Sequence, residues 1–148
     1  MGTPEAACSD ADALNMQGIW ELITSYAPEA PPDLVPTSSV FKVKLASSGS
    51  GPHGGMLFEG VYVTPETQVG SFKGETFYHQ RGVQVMQMVM EYTPEPYCYY
   101  QLFCGRHIRD SEVVEGAWVD VGGHGSGPYG RGPIEGYFGR FLLTKTTE

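Results

Sequence analysis

Alternating apolar and polar residues predict β-strands along most of this chain. Phe41, Val43 and Leu45 alternate with Lys42 and Lys44, which predicts a strand with one buried and one wet face. Similar segments recur from Gly18 onward, and no segment has the spacing of an amphipathic helix. The predicted strands span residues 18–26, 41–45, 57–63, 69–73, 76–80, 83–92, 97–103, 113–121 and 137–144.

Loop-forming segments separate these strands. Residues 27–39 hold four prolines, which excludes a regular element and predicts a long loop. Residues 122–133 are rich in glycine, and Lys73-Gly74 predicts the turn of a hairpin. Turns every 8–12 residues or so are typical of β-sandwiches and barrels. We therefore expect an all-β fold of about eight to ten antiparallel strands with little helix, most simply a small up-and-down β-barrel.

Length and composition limit the classes of protein that fit. The 148 residues suffice for one domain, which we assign to residues 16–148, after a flexible arm formed by residues 1–15. The net charge of -8 disfavours nucleic-acid binding, which needs clustered cations. No segment approaches the roughly 20 apolar residues that span a bilayer, so no membrane span is expected.

The N-terminus and the cysteines favour a reducing compartment. Met1 to Asn15 contains acidic residues but no Lys or Arg, unlike a secretory signal. The odd number of cysteines, three, predicts free thiols and hence a cytoplasmic protein.

A short motif occurs twice. Gly-Ser-Gly-Pro begins at Gly49 and again at Gly125, and each copy lies between two predicted strands. One interpretation is a pair of similar strand-loop-strand units at the same end of the barrel. The other is that the same loop chemistry arose twice.

Three methionines share one face of the strand over residues 83–92. Gln87 and Glu91 on the opposite face indicate solvent there, so the face of Met86, Met88 and Met90 is predicted to be interior, and Tyr92 continues it. Flexible, polarisable methionines suit either an adaptable ligand cavity or plain core filling.

The next strand is rich in aromatic residues, with Tyr99 on one face and Tyr100 on the other. A buried tyrosine needs a partner for its hydroxyl, so either residue is expected to point into a pocket. Cys98 and Cys104 share the Tyr100 face, too far apart to form a disulfide, and are expected to be buried thiols.

Motifs that would identify a reaction are missing from the sequence. His79 and Arg81 share one side of a predicted strand, where a buried pair would hold an acidic head group and an exposed pair would not. His53 and His124 lie in the two glycine-rich loops, but no third ligand follows at a recognisable spacing. There is no phosphate-binding loop and no nucleophile elbow. We predict no catalytic residue, metal or cofactor.

Gly18-Ile19-Trp20, at the start of the first predicted strand, resembles the opening strand of the calycin barrels, which include lipocalins and cytosolic fatty-acid-binding proteins. The resemblance implies a barrel closed at one end by Trp20 and open at the other end among loops. It also implies an arginine packed over that tryptophan, for which Arg140 is the match. The carboxylate-binding Arg-x-Tyr of the fatty-acid-binding branch is absent, because Phe141 and Leu142 follow Arg140. Gly116-Ala117-Trp118 is similar to the tryptophan strands of avidin-like barrels.

Three functions are compatible with this barrel. The first is non-enzymatic binding of a small hydrophobic or amphipathic ligand inside it. The second is a protein-interaction module that uses loops or a homodimer face. The third is an isomerase or cyclase with His79 or a tyrosine as acid or base. The predicted ligand-binding residues are Met86, Met88, Met90, Tyr92, Tyr99, Tyr100, His79, Arg81 and Arg140.

Overall fold

The protein is an eight-stranded antiparallel barrel. The structure is a computed structural model that describes residues 14–34, 37–78, 82–92, 99–123 and 136–146. Each strand pairs with the next along the chain, and β8 pairs with β1 to close an up-and-down barrel. The all-β barrel predicted from the sequence is confirmed. The strands are β1 Gly18–Tyr26, β2 Ser38–Ser50, β3 Met56–Thr64, β4 Ser71–Tyr78, β5 Gln84–Tyr92, β6 Tyr99–His107, β7 Val113–Gly123 and β8 Phe138–Lys145.

The strand pairing defines two ends of the barrel. Gly18, at the start of β1, pairs with Leu45 of β2, whereas Tyr26, at its end, pairs with Gly139 of β8. We call the Gly18 end the closed end and the Tyr26 end the open end. Within the described part of the chain there is no helix long and apolar enough to cross a membrane.

The predicted hairpin turn at Lys73-Gly74 is wrong, because β4 runs through both residues as one strand. A Cβ atom on Gly74 would lie 2.5 Å from Cζ of Phe58 and 2.3 Å from the backbone oxygen of Gln87. The glycine is therefore needed for the close approach of an interior ring and a neighbouring strand. This is why a residue that favours turns lies inside a strand.

The strand β6 is longer than predicted and extends to His107. Arg106 of β6 and Glu115 of β7 form an ion pair, 3.2 Å apart, on the outer face of the hairpin. This pairing allows the strands to continue through charged residues. The turn itself is short, since the Ile108 N–H donates to the Val113 carbonyl over 2.8 Å.

Apolar side chains fill the closed end. The Trp20 indole N–H donates to the Met16 carbonyl over 2.7 Å, and Lys145 Nζ lies 5.8 Å from the centroid of the Trp20 ring. The cation over this tryptophan is thus Lys145 rather than Arg140, whose side chain is exposed. Because Phe141 is buried and side chains alternate along β8, Arg140 faces outward.

The strands that flank the two Gly-Ser-Gly-Pro copies adjoin at different ends of the barrel. The first copy connects β2 to β3 at the closed end, since Ser50 pairs with Met56 there. The second copy, residues 125–128, lies outside the described residues, but the strands that it connects, β7 and β8, meet at the open end. Among the described residues, β2 and β3 therefore adjoin at the closed end, whereas the end of β7 and the start of β8 lie at the open end.

The thiol of Cys104 is exposed, so the prediction that it is buried is wrong. Phe103 and Tyr99 face the interior, and alternation along β6 therefore turns Cys104 outward. Cys98 and the arm residues 1–13 lie outside the described residues.

Candidate functional site

A cavity of about 410 Å³ opens at the open end of the barrel. We call this cavity the cup. The strands supply its wall, and the β1–β2 and β3–β4 connections contribute residues at its rim. The residues that line it are Leu22, Thr24, Tyr26, Leu34, Thr37, Ser39, Phe41, Tyr62, Thr67, Gln68, Val69, Tyr92, Tyr99, Gln101, Phe103 and Trp118.

The barrel is filled below the cup. Phe103 lies at the boundary, with its ring centroid 6.5 Å from that of Phe72 and 5.4 Å from that of Phe141. Phe58 and Phe72 are each at most 1% exposed. The interior is therefore solid at the closed end and hollow at the open end.

Aromatic rings form three parts of the cup wall. Phe41 and Tyr62 pack together on β2 and β3 with centroids 5.2 Å apart. Tyr92 and Tyr99, paired in register on β5 and β6, stack at 5.0 Å with an interplanar angle of 23°. Such rings offer flat, apolar contact surfaces to a ligand.

Trp118 and Tyr26 form the third aromatic part. Their centroids are 5.3 Å apart in an edge-to-face arrangement. The Trp118 indole N–H donates to the Ser25 carbonyl over 3.1 Å, which fixes the ring against β1. The indole N–H therefore already has a hydrogen-bond partner within the barrel, and the rest of the Trp118 ring surface is available for apolar packing.

The polar groups of the cup are uncharged. None of the described residues that line it is Asp, Glu, Lys, Arg or His. Burial raises the pKa of the Tyr62 phenol, which therefore stays neutral at physiological pH. The Tyr62 hydroxyl and the Gln101 amide form no hydrogen bond with any described residue, so both retain capacity to bind a ligand.

The predicted site residues are distributed over the cup, the core and the outer surface. Tyr92 and Tyr99 line the cup. Met86, Met88 and Met90 face inward as expected, but each is 1% exposed and fills the core rather than the cup wall. The methionine face thus corresponds to the core-filling interpretation.

The other predicted residues do not line the cup. Tyr100 is 46% exposed on the outer face, and its hydroxyl donates to the Glu91 carboxylate over 3.3 Å. Arg140 is also exposed on the outer face. His79 and Arg81 lie outside the described residues, in the connection from β4 to β5.

Several cup residues were not predicted to bind a ligand, namely Tyr26, Phe41, Tyr62, Gln101 and Trp118. Gln101 did carry a signal, because it shares the inward face of β6 with Tyr99 and Phe103. A polar residue on an otherwise aromatic interior face indicates a wet or ligand-filled part of a barrel. The others depend on strand register, which the sequence did not provide.

A histidine–carboxylate pair lies on the outer face at the closed end. The Glu75 carboxylate accepts the His53 backbone N–H over 3.0 Å and lies 2.6 Å from Nδ1 of the same histidine. The His53 ring stacks on Phe77 with a centroid distance of 4.8 Å. Burial alone would raise the pKa of the Glu75 carboxyl, but the hydrogen bonds and charge of His53, with a further backbone hydrogen bond from Gly55, lower it.

Comparisons with known proteins add no assignment to this geometry. No family model, curated protein or solved structure matches the chain. The described residues contain no group of three or more His, Cys, Asp or Glu side chains placed to hold a metal ion. The fold is compatible with a calycin-like barrel.

Proposed function

We propose that this protein binds a small, uncharged apolar or amphipathic molecule in the cup and does not transform it. The observation that carries this proposal is the cavity of about 410 Å³ with aromatic walls and two neutral polar groups, on Tyr62 and Gln101, that have no hydrogen-bond partner among the described residues. Small-molecule sites in proteins are typically mostly apolar cavities of roughly 300–1,000 Å³ with a few polar groups that fix orientation.

The uncharged lining favours a neutral ligand over a fatty acid. An anionic head group in the cup would lose hydration without gaining a cation among the described lining residues. Arg140, the residue that could have bound a carboxylate, faces outward. The cup thus differs chemically from the carboxylate sites of fatty-acid-binding proteins.

Tyr62, one of the four tyrosines among the described lining residues, is poorly suited to acid–base catalysis. A general acid or base works best with a pKa near the working pH. Burial moves the pKa of Tyr62 further from neutrality, so its phenol donates a hydrogen bond but keeps its proton. This favours binding over catalysis by Tyr62, whereas His79, the other candidate acid or base, lies outside the described residues.

A fluorescence titration tests the proposal. The neutral probe N-phenyl-1-naphthylamine should bind the wild-type protein saturably, and oleate should compete at least about tenfold more weakly than the neutral probe binds. Thr24→Phe, which fills the cup, should abolish probe binding. The matched control Ile23→Phe, at the neighbouring position of β1 outside the lining, should leave it intact.

Either of two results would refute the proposal. One is that the folded wild-type protein shows no saturable binding of the probe, and the other is that Thr24→Phe binds the probe as tightly as the wild type does. Circular dichroism and thermal unfolding of each variant confirm that the barrel is intact before titration.

We also infer that the barrel is calycin-like. Trp20 at the start of β1, the cation of Lys145 over its ring and the eight-stranded up-and-down topology support this placement. An experimental structure that aligns its strands and its closed end with lipocalins would test it, and a different strand order would refute it.

An interaction surface on the outer wall is the second candidate function. Val89, Leu102 and Val119 lie in register across β5, β6 and β7, and their row faces outward. Tyr100 and Val121 beside this row are 46% and 50% exposed. Contiguous exposed apolar side chains of this kind favour a homodimer face.

Sedimentation equilibrium tests this second candidate. A homodimer through the outer wall should dissociate in Leu102→Lys and persist in Val61→Lys, which alters an exposed valine on β3 instead. A wild-type protein that stays monomeric at high concentration would rule the homodimer out.

A further inference from the structure

We infer that Gln101 selects the ligand, which is a flat, uncharged heteroaromatic molecule with a hydrogen-bond donor next to an acceptor, as in a lactam. This inference rests on the proposed function of the cup. It adds the chemical class of the ligand and the residue that recognises it.

Gln101 has the right position for this role. It lies on the inward face of β6, between Tyr99 and Phe103, and its half-buried side chain lines the cup. In register it lies between Met90 of β5 and Asp120 of β7, both of which are 1% exposed. Both cross-strand neighbours of Gln101 are therefore buried, and its own side chain is open to the cavity.

The Gln101 amide has a donor and an acceptor available. No hydrogen bond joins its side chain to another described residue. A carboxamide carries one oxygen acceptor and an NH₂ donor side by side, and a ligand that covered this half-buried amide without offering it partners would bind at a cost. A ligand edge with an adjacent donor and acceptor satisfies both atoms at once, as when glutamine forms two parallel hydrogen bonds with adenine.

Aromatic surfaces on both sides of Gln101 favour a flat ligand. Tyr99, the next inward residue toward the rim, stacks on Tyr92 at an interplanar angle of 23°. Phe103, the next inward residue toward the floor, pairs in register with Trp118 of β7. A planar ring that pairs with the amide would therefore lie among aromatic rings, where ring–ring contacts add to the hydrogen bonds.

A hydrocarbon ligand fits these residues less well. It would pack against the rings but leave the Gln101 amide, and the Tyr62 hydroxyl on the other side of the cup, without partners. A charged heteroaromatic ligand is disfavoured by the uncharged lining.

Two matched probes test the inference. 2-Quinolinone is flat and neutral and carries an N–H beside a carbonyl, whereas 1-methyl-2-quinolinone has lost the donor. Wild-type protein should bind 2-quinolinone at least about tenfold more tightly than its methylated form. N-phenyl-1-naphthylamine serves as a third probe that reports whether the cup is intact.

Variants assign the preference to one side chain. Gln101→Leu should bind both quinolinones with equal affinity, and thermal unfolding confirms that its barrel is intact. Gln87→Leu, which removes an exposed amide from the outer face of β5, should keep the full preference. Should Gln101→Leu fail to fold, Gln101→Met provides the same test with a side chain of closer shape.

The outcomes separate this inference from the proposed function. If wild type binds naphthylamine but shows no quinolinone preference, or if Gln101→Leu retains the preference, Gln101 does not select the ligand and the cup proposal stands. If Gln101→Leu retained the preference, the methyl group of 1-methyl-2-quinolinone would weaken binding only by its bulk. If none of the three probes binds, the proposed function itself fails.

Discussion

Replacing Gly74 with alanine tests how the closed half of the barrel is filled. Alanine in the interior of a strand is normally more stable than glycine by roughly 0.5–1 kcal/mol, because glycine loses more conformational entropy on folding. At Gly74 the added Cβ would lie 2.3 Å from the Gln87 backbone oxygen and 2.5 Å from Phe58 Cζ. The geometry therefore predicts the opposite sign.

The expected magnitude follows from these two contacts. Overpacking a well-filled core typically costs about 1–3 kcal/mol, and neither the neighbouring backbone nor a fully buried ring can move freely. We expect Gly74→Ala to lower the free energy of unfolding by about 2 kcal/mol. For a chain of this size the midpoint temperature should fall by roughly 4–8 °C.

Urea unfolding followed by tryptophan fluorescence measures this loss, with Lys73→Ala as the control. Lys73 is exposed, so its substitution should change stability by no more than about 0.5 kcal/mol. Phe58→Leu removes the ring atom nearest the new Cβ, so the double variant should recover about 1 kcal/mol relative to additivity. Unchanged or increased stability of Gly74→Ala would refute the close approach, and strict additivity would refute the role of Phe58.

Three further substitutions test other contacts. Glu75→Gln should flatten the dependence of stability on pH. The pKa of the Glu75 carboxyl is lowered in the folded protein, so the ionised carboxyl stabilises the fold above the pKa that it has in the unfolded chain. That stabilisation is lost as the pH falls through the pKa of the folded protein. Thermal unfolding of wild type and variant between pH 7 and 3 measures this, and parallel curves would contradict it. Thr76→Val should be neutral or stabilising by up to about 1 kcal/mol, because the buried Oγ1 has no hydrogen-bond partner among the described residues; a loss above about 1 kcal/mol in urea unfolding would contradict this. Lys145→Met should cost about 0.5–1 kcal/mol by removing the cation over Trp20 and the hydrogen bond to the Asn15 carbonyl, and an unchanged urea midpoint would contradict this.

Side-chain periodicity made much of the fold predictable. The alternation around Val43 and around Met88 identified inward faces, and both residues are at most 1% exposed. For Cys104 the prediction of a buried thiol was wrong, because cysteine and tyrosine occur both in cores and on surfaces and periodicity alone did not show which face of β6 is interior. Its neighbours Phe103 and Tyr99 settle the question only once the strand is in the barrel.

Contacts between distant strands explain what the sequence left out. Gly74 resembles a turn residue locally, and only the position of Phe58 on β3 gives the reason for a glycine within β4. The cup depends on register in the same way, since Tyr62, Gln101 and Trp118 come from three different strands. Sequence periodicity shows which way a side chain faces but not its height along the barrel axis. It therefore could not separate the methionines of the core from the tyrosines of the cup.

The position of a bound neutral probe tests the central claim most directly. A crystal structure of the protein soaked with N-phenyl-1-naphthylamine should place the probe in the cup, with its rings against Tyr92 and Tyr99 and near Phe41 and Tyr62. A cup closed by its own side chains, or a probe bound only on the outer wall, would contradict the claim that the open half of this barrel is a binding site.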